Sequence, residues 1–430
     1  MHPSLEGNEL KVLVVGNGAR EHTLCWKLAQ SPRLGKLLIA PGNAGTDMLG
    51  TNVEIDPEDV QSVLNFVIEQ EIDFTVIGPE VPLALGLADI LLDNQRAVFG
   101  PTMAAAQIES KKSFAKEMMF SNSIPTGNAQ IFSDYNSAVR HLERVTVPIV
   151  IKANGLAAGK GVQVAHTQKE AINALKTCMV EREFGRSGET VLIEEYLSGP
   201  EISVFAFVDG QDISSMVAAC DYKLAGDGDT GSNTGGMGAY SPPIHDLWNN
   251  KIETLIRDSI MEPIVRALVR NGTPYTGILY AGLMLTSEGP KVIEFNCRLG
   301  DPEAQVVIPR LKNDLLDVMI STVLGEIGSV KFEWDKRTCV GVVIASGGYP
   351  ENYKTGYPIS GLDSVDTDTM VFHAGTSLSQ NGVVTTSGGR VLTVVTAGED
   401  ISQARTKTYS SVNNLKFIDS YNRTDIGLIP

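Results

Sequence analysis

Short apolar runs, each stopped by a glycine or proline turn, set the strongest limit on how this 430-residue chain can fold. Residues 11–15 run into Gly16-Asn17-Gly18, residues 37–40 into Pro41-Gly42-Asn43, residues 74–77 into Gly78-Pro79 and residues 97–99 into Gly100-Pro101. Helical patterns lie between them, the first over residues 20–31. Short strands alternating with helices predict a parallel doubly wound sheet, whose ligands gather at the carboxyl ends of the strands, where these turns lie. Residues 103–120 then read as helix. Further strands are expected at 148–152, 162–165, 191–196, 201–208 and 214–219, with helices at 168–180 and 246–270. Residues 276–285 and 291–296 form a hairpin around Ser287-Glu288-Gly289, and strands at 338–345 and 390–396 precede a helix near 402–412. The fold class is α/β and α+β multidomain, which this length permits.

The charge balance removes several classes of partner. Asp and Glu outnumber Lys and Arg by 51 to 35, a net charge of −16. So acidic a surface disfavours nucleic acid and anionic membranes, and any anionic small molecule has to be met by local clusters of Lys, Arg and backbone N–H. Five cysteines, Cys25, Cys178, Cys220, Cys297 and Cys339, lie far apart without metal or disulfide spacing and read as reduced thiols of a cytoplasmic protein. Residues 1–10 carry no secretion pattern, and no apolar run approaches the ~18 residues that span a bilayer. No further enzymatic domain is expected to be fused behind Pro430.

Four segments carry chemistry. Lys152-Ala153-Asn154-Gly155-Leu156-Ala157-Ala158-Gly159-Lys160-Gly161 is a loop of small residues between strands, able to bring backbone N–H groups close to phosphate oxygens, with Lys152 and Lys160 adding charge. It is not a P-loop, since no helix opens with Gly-Lys-Ser/Thr. Residues 191–197 end in Glu194, Glu195, Tyr196 and Leu197, with Glu201 close behind; these acids can accept from an adenine amino group and ribose hydroxyls. In Val292-Ile293-Glu294-Phe295-Asn296-Cys297-Arg298, strand periodicity puts Glu294 and Asn296 on one face, a hard-oxygen pair suited to Mg²⁺, with Arg298 continuing that face toward a phosphate. The Gly-rich stretch 229–240 reads as a segment that cannot pack as core: it either closes over substrate or is a disordered surface loop. Gly16-Asn17-Gly18-Ala19-Arg20-Glu21-His22 hints at a dinucleotide fingerprint, but Glu21 replaces its third glycine and the second strand ends in Pro41 rather than an acid, which argues against nicotinamide. Arg20 at a helix start still suits a phosphate, and His22 reads as a structural hydrogen bonder.

Taken together, these segments resemble the ATP-grasp superfamily, and within it the glycinamide ribonucleotide synthetase family of purine biosynthesis. The similar stretches run in order at 16–22, 40–46, 77–80, 99–102, 152–162, 229–242, 280–284, 292–305, 347–350 and 372–376. Gly235-Gly236-Met237-Gly238-Ala239-Tyr240 and Glu294-Phe295-Asn296-Cys297-Arg298 are the most specific of them. Tyr222 and Leu224 stand where the family has His and Arg, Ser232 where it has Pro, and Asn154 where it has Asp.

The resemblance implies a pre-ATP-grasp N-terminal domain at 1–105, an ATP-grasp region at 106–330 with a lid at about 125–197, and a C-terminal domain at 331–430. It implies ATP and Mg²⁺ (or Mn²⁺) as cofactors. Lys112 and Lys152 go to the phosphates beneath Gly159, Lys160 and Gly161; Glu194, Glu195, Tyr196 and Leu197 line the adenine and Glu201 takes the ribose. Glu294 and Asn296 bind the metal, and Arg298 and Lys152 are the catalytic cations. Substrate contacts fall to Gly18, Arg20, Glu21 and Glu80 for phosphoribosylamine, and to Asp221, Asn233, Thr234, Gly235, Gly236, Met237, Arg298, Asp301 and Glu303. The implied reaction joins glycine to 5-phosphoribosylamine through glycyl phosphate, in a monomer or weak homo-oligomer; the alternative is an ATP-grasp ligase acting on a different acid or amine. A nicotinamide oxidoreductase and a non-catalytic ATP-binding scaffold are disfavoured by Glu21 and by the intact set Lys152, Glu294, Asn296 and Arg298.

Overall fold

The computed structural model describes residue 5 and residues 7–157, 159–244 and 246–428. Strands β1 (Leu10–Gly16), β2 (Leu34–Pro41), β3 (Thr51–Asn52), β4 (Phe74–Ile77) and β5 (Val98–Phe99) make a parallel sheet in the order β3-β2-β1-β4-β5. Helices cover both faces of such a sheet, so its strands read as continuous apolar runs, and Val12, Leu13, Val14 and Val15 are all fully buried. The order reverses at β1, which opens a crevice at the carboxyl ends of β1 and β4. Gly16 turns the chain there with φ +126°, and a Cβ on it would stand 2.4 Å from Glu21 Cγ, so only glycine fits.

A second layer is separate. Strands β6 (Ala129–Phe132), β7 (Ile149–Ala153), β8 (Val162–Ala165) and β9 (Val191–Glu195) form an antiparallel sheet in the order β6-β9-β7-β8. Helices Tyr135–Leu142 and Gln168–Met179 pack with it around its own core, which includes Ala138, Leu142, Ile151, Ala171, Leu175 and Ile193.

The body is built on β10 (Glu201–Asp209), β11 (Val217–Asp221), β12 (Leu224–Gly226), β13 (Thr230–Asn233), β14 (Gly238–Ser241), β15 (Thr276–Thr286) and β16 (Gly289–Asn296). It continues through β17 (Thr338–Ala345), β18 (Met370–His373), β19 (Thr376–Leu378), β20 (Val384–Thr386) and β21 (Arg390–Gly398). Eight of these form one sheet, β16-β15-β10-β11-β14-β17-β21-β18, while β12-β13 and β19-β20 are small hairpins. The sheet therefore runs without a break from the central region into the C-terminal one, across the β14–β17 pairing.

That pairing corrects the expectation that the Gly-rich stretch cannot pack as core: every residue of β14 is buried. Its small residues are the reason. A Cβ at Gly238 would lie 2.6 Å from the Gly341 carbonyl oxygen and 2.9 Å from Ile426 Cγ1, so glycine is what admits the strand between β11 and β17. Two helices also differ from expectation. The 103–120 pattern is Met103–Ser110 and Lys112–Ser121, split at Lys111 in an extended conformation. The second helix restarts because Asn154 caps it from the lid loop, its carbonyl accepting from Lys112 N–H at 2.9 Å and its side chain from Ser113 N–H at 2.8 Å. The 246–270 helix starts instead at Asn250 behind the Asn249 cap, and takes one π turn at Arg257–Met261 before Glu262–Arg270.

The N-terminal sheet meets the C-terminal strands through a pair of buried histidines. His22, on helix Ala19–Leu28, accepts the His373 backbone N–H at 2.8 Å, and Asn43 donates to the carbonyls of His373 and Asn17 at 2.9 and 2.8 Å. Burial, with His373 adding, holds His22 down to about 3; burial holds His373 down to about 4. Both are neutral when folded near neutral pH, while the unfolded chain takes up protons below 6.5, so stability falls as pH drops through that value and keeps falling to about 4 for His373 and about 3 for His22. The loss from His373 alone is on the order of 3 kcal/mol. In His373→Gln, which keeps both backbone bonds, thermal melts between pH 7 and 5 are expected to show a shallower acid slope than the parent; an unchanged slope counts against this joint as the acid-sensitive element.

Candidate active site

Glu294 and Asn296 occupy alternate positions on β16, and the structure surrounds Glu294 with cations from four segments. Burial pushes the Glu294 carboxyl up, but Lys152, Lys223, Lys112 and Arg298 together hold it below the ordinary carboxylate range. Among the described residues it makes no hydrogen bond and no ion pair within 4 Å. Lys152, on β7, reaches across from the lid to the Ile293 carbonyl at 2.9 Å and to Glu194 at 3.0 Å. Lys116 holds the same Glu194 oxygen at 3.2 Å, and Lys112 donates to the Gly155 carbonyl at 3.1 Å. Glu194, expected at an adenine, thus sits between two lysines, while Glu195 is an exposed acid accepting both N–H groups of Asn128 at 3.0 and 3.1 Å. Tyr196 is also exposed, its ring edge-on to His166. Gly159 and Lys160 lie exposed on the loop, beside buried Gly161.

Arg298 leads from β16 into the N-terminal sheet. Its Nε meets Glu80 at 3.0 Å and its Nη2 meets Glu109 at 2.6 Å. Burial works against the Glu80 carboxylate, yet Arg298 and Arg20 hold it down to about 2. Burial pushes Glu109 up despite Arg298, and its second oxygen accepts the Cys297 N–H at 2.7 Å. Arg20 donates to Glu21 at 2.5 Å and to the Leu299 carbonyl at 3.1 Å; the other Glu21 oxygen caps the helix by accepting from Gly18 N–H at 2.7 Å. A narrow crevice opens here, lined by Arg20, Gly78, Gly100, Cys297 and Arg298.

The Gly-rich stretch forms the opposite wall. Lys223 joins Glu201 at 2.7 Å to Asp221 at 3.4 Å. Burial raises the Asp221 carboxyl to about 7, against Lys223 and with the push of Glu303 and Glu201. Thr234 anchors the turn on the Lys223 carbonyl through N–H and hydroxyl, at 2.8 and 2.7 Å. At Gly236 (φ +109°) a Cβ would stand 2.4 Å from Pro302 Cδ, so the turn lies directly on the segment after β16. Gly235 N–H donates to Tyr349 at 3.0 Å, and Asn233 reaches the Gly159 carbonyl of the lid loop at 3.4 Å. Asp301 accepts from Gln305 at 2.8 Å and pairs with Arg390 at 3.3 Å; Glu303 accepts from Ser203 at 3.1 Å. Met237 stands apart from the rest: it is wholly buried, its N–H bound to Tyr222 and its carbonyl to Val343.

Sequence reasoning missed three groups. Lys116 follows Lys112 by four residues, so helical spacing alone places both on one face. Glu109 and Arg390 carried no such signal: Glu109 pairs across 189 residues, and Arg390 reaches the Gly235 carbonyl at 2.6 Å across 155.

A lid sheet resting on an antiparallel body, with cations from both converging on an acid and an amide of one strand, defines an ATP-grasp protein. Biotin carboxylase from Campylobacter jejuni has the same fold at 15% identity, with a TM-score of 0.74 over 98% of this chain and 94% of that one. Phosphoribosylamine–glycine ligase from Thermotoga maritima matches at 29% identity and a TM-score of 0.81, over 97% of this chain and 100% of that one. Models of phosphoribosylglycinamide synthetase match in order: its N domain at residues 10–109, its ATP-grasp (A) domain at 110–304 and its C domain at 339–429. Phosphoribosylamine–glycine ligase from Halalkalibacterium halodurans is 47% identical over 97% of this chain and 96% of its own length. That from Caldanaerobacter subterraneus is 44% identical over 97% and 99%. The chain belongs to the phosphoribosylglycinamide synthetase family.

Glu109→Ala leaves half of the buried Arg298 fork unanswered and is expected to cost about 3 kcal/mol of stability. Urea unfolding measures this; an unchanged midpoint would show that the fork is not desolvated.

Proposed function

We propose that this chain is an ATP-dependent carbon–nitrogen ligase joining glycine to 5-phosphoribosylamine, with glycinamide ribonucleotide, ADP and phosphate as products. The observation that carries the reading is the convergence on Glu294 of Lys112, Lys152, Lys223 and Arg298. An acidic protein that gathers four cations around one strand has built a place for a polyanion.

The reaction has two halves, phosphoryl transfer to the glycine carboxylate and acyl transfer to the amine. A carboxylate is already nucleophilic, so the first half needs position and charge neutralisation rather than an activated side chain. Cys297 lies between Asn296 and Arg298, but burial and then Glu109 push its thiol well up, which leaves it inert. Lys112 and Lys152 take the phosphate oxygens, and Glu201 and the end of β9 hold the nucleoside. Arg298 steadies the group in transfer while Glu80 and Glu109 fix its plane. The crevice beside Arg20 and Glu80 takes the phosphoribosylamine, and the Gly-rich turn faces the glycine.

Glu294 and Asn296 fit Mg²⁺ or Mn²⁺. They offer a carboxylate held ionised without a partner and a buried amide oxygen, both hard donors. Among the described residues no group of three His, Cys, Asp or Glu is placed to hold a metal, so further ligands come from phosphate and water. When bound, such an ion neutralises phosphate charge. We assign the three parts as an N-terminal domain at 1–105, an ATP-grasp region at 106–330 with its lid at about 125–197, and a C-terminal region at 331–430. Among the described residues no helix is long and apolar enough to cross a membrane.

The test mixes the protein with Mg-ATP and glycine, with and without phosphoribosylamine. ADP release that needs both substrates, with the amide as product, supports the reading; release without amide refutes it. Glu294→Ala is expected to lower kcat by on the order of 10²-fold or more. Turnover near the parent's at saturating Mg²⁺ would remove the metal from Glu294.

A further inference from the structure

We propose that Arg423, in the C-terminal segment, is a positioning residue for this reaction, acting on Lys223 through the two residues that flank it; the proposal rests on the ligase reading above. Arg423 is 1% exposed, among the most deeply buried charged side chains described. Its Nε and Nη2 donate to Asp425 at 2.7 and 2.6 Å, and its Nη1 donates to Asp229 at 2.8 Å and to the Leu224 carbonyl at 3.0 Å. The carbon of the same guanidinium lies over the Tyr222 ring, 4.9 Å from its centroid, and the Tyr222 hydroxyl accepts Gly427 N–H at 3.1 Å. One buried cation therefore grips the chain immediately before and immediately after Lys223. A guanidinium that donates from three nitrogens while its charge sits over a ring is what this takes, and a lysine ammonium cannot supply that fork.

Lys223 itself faces the site. Its ammonium joins Glu201 and Asp221, its carbonyl carries the Thr234 turn, and its charge follows that of Lys152 among those acting on Glu294. It is the one member of that cation set whose neighbours on both sides are held from the C-terminal segment. The same segment fixes the hairpin that follows: Asp227 accepts from Thr424 N–H at 2.7 Å and from its hydroxyl at 2.5 Å, and Gly228 N–H donates to Asp425 at 2.8 Å. The far end of that hairpin is Asn233, which touches Gly159 of the lid loop. Arg423 thus stands at the fixed end of a chain of contacts that reaches the phosphate-binding side through Lys223. Displacing an ammonium by a fraction of an ångström is enough to weaken a charge-assisted contact made only in the transition state.

A residue that merely staples the C-terminus would affect stability and leave kinetics independent of Lys223, so coupling decides the matter. Steady-state kinetics of the full chain are measured for the parent, Arg423→Gln, Lys223→Gln and the double variant. The expected result is a kcat about tenfold lower in Arg423→Gln, KM for ATP changed by less than about threefold, and a double variant no slower than Lys223→Gln alone. A parental kcat in Arg423→Gln, or losses that multiply in the double variant, overturns the proposal. If Arg423→Gln does not fold, Tyr222→Leu removes the ring and keeps the charge. Its kcat is expected to fall about threefold, with that loss likewise absorbed by Lys223→Gln; a parental kcat there overturns the proposal. A parent that makes no amide from glycine and phosphoribosylamine overturns the ligase reading and the proposal together, whereas an active parent with multiplying losses overturns the proposal alone.

Discussion

Glu294 is a half-buried acid whose counter-charges arrive from four stretches of chain, and the rest of the site is arranged around keeping it charged. Loss of solvent works against its charged form. Lys152 comes from the lid, Lys112 from the helix below it, Lys223 from the edge of the Gly-rich stretch and Arg298 from the loop after β16. None of these segments is a neighbour of another in the chain except the last, which continues β16. The electrostatic condition of one carboxylate therefore reports whether lid, body and Gly-rich wall are all in place.

The other charged clusters work as joints on the same pattern. Arg298 ties Glu80, at the start of helix Glu80–Ala84 in the N-terminal layer, to Glu109 at the end of helix Met103–Ser110. Arg390 ties the Gly235 carbonyl to Asp301, and Arg423 ties Asp229 to Asp425. Arg298 and Arg423 are each met by two acids and Arg390 by one acid and backbone carbonyls, so each carries its charge inward with partners already placed. A buried pair contributes little net stability over an apolar contact of the same size, while breaking one side of it is costly. The joints thus specify one arrangement more than they strengthen it. They also bring four cations to Glu294 in a chain whose net charge is −16.

What was legible in the sequence follows from local geometry. Strands β1, β2, β4 and β5 were readable because buried parallel strands are continuous apolar runs ending in turns. Glu294, Asn296 and Arg298 were readable because a strand repeats every two residues. What was hidden depends on neighbours far along the chain. The break at Lys111 is caused by Asn154, and the burial of β14 by Gly341 and Ile426, which composition cannot see. The continuity of the sheet through β14 and β17 was hidden for the same reason, since a glycine-rich segment looks like a loop until the strand that needs its missing side chains is known.

The manner in which the lid meets the body follows from these contacts as well. Its core, from Phe132 to Ile193, is separate from the two cores of the body. Many of the contacts that join them are polar: Lys152 on the Ile293 carbonyl, Lys112 on the Gly155 carbonyl, Thr126 on the Val292 carbonyl at 2.7 Å and Asn233 on the Gly159 carbonyl. Polar contacts exchange for water at small net cost, whereas an apolar seam would not. Parting the two at these contacts would leave that core covered. Under the proposed function, the lysines that hold the lid against the body are the ones assigned to the phosphates, so both contacts draw on the same charges.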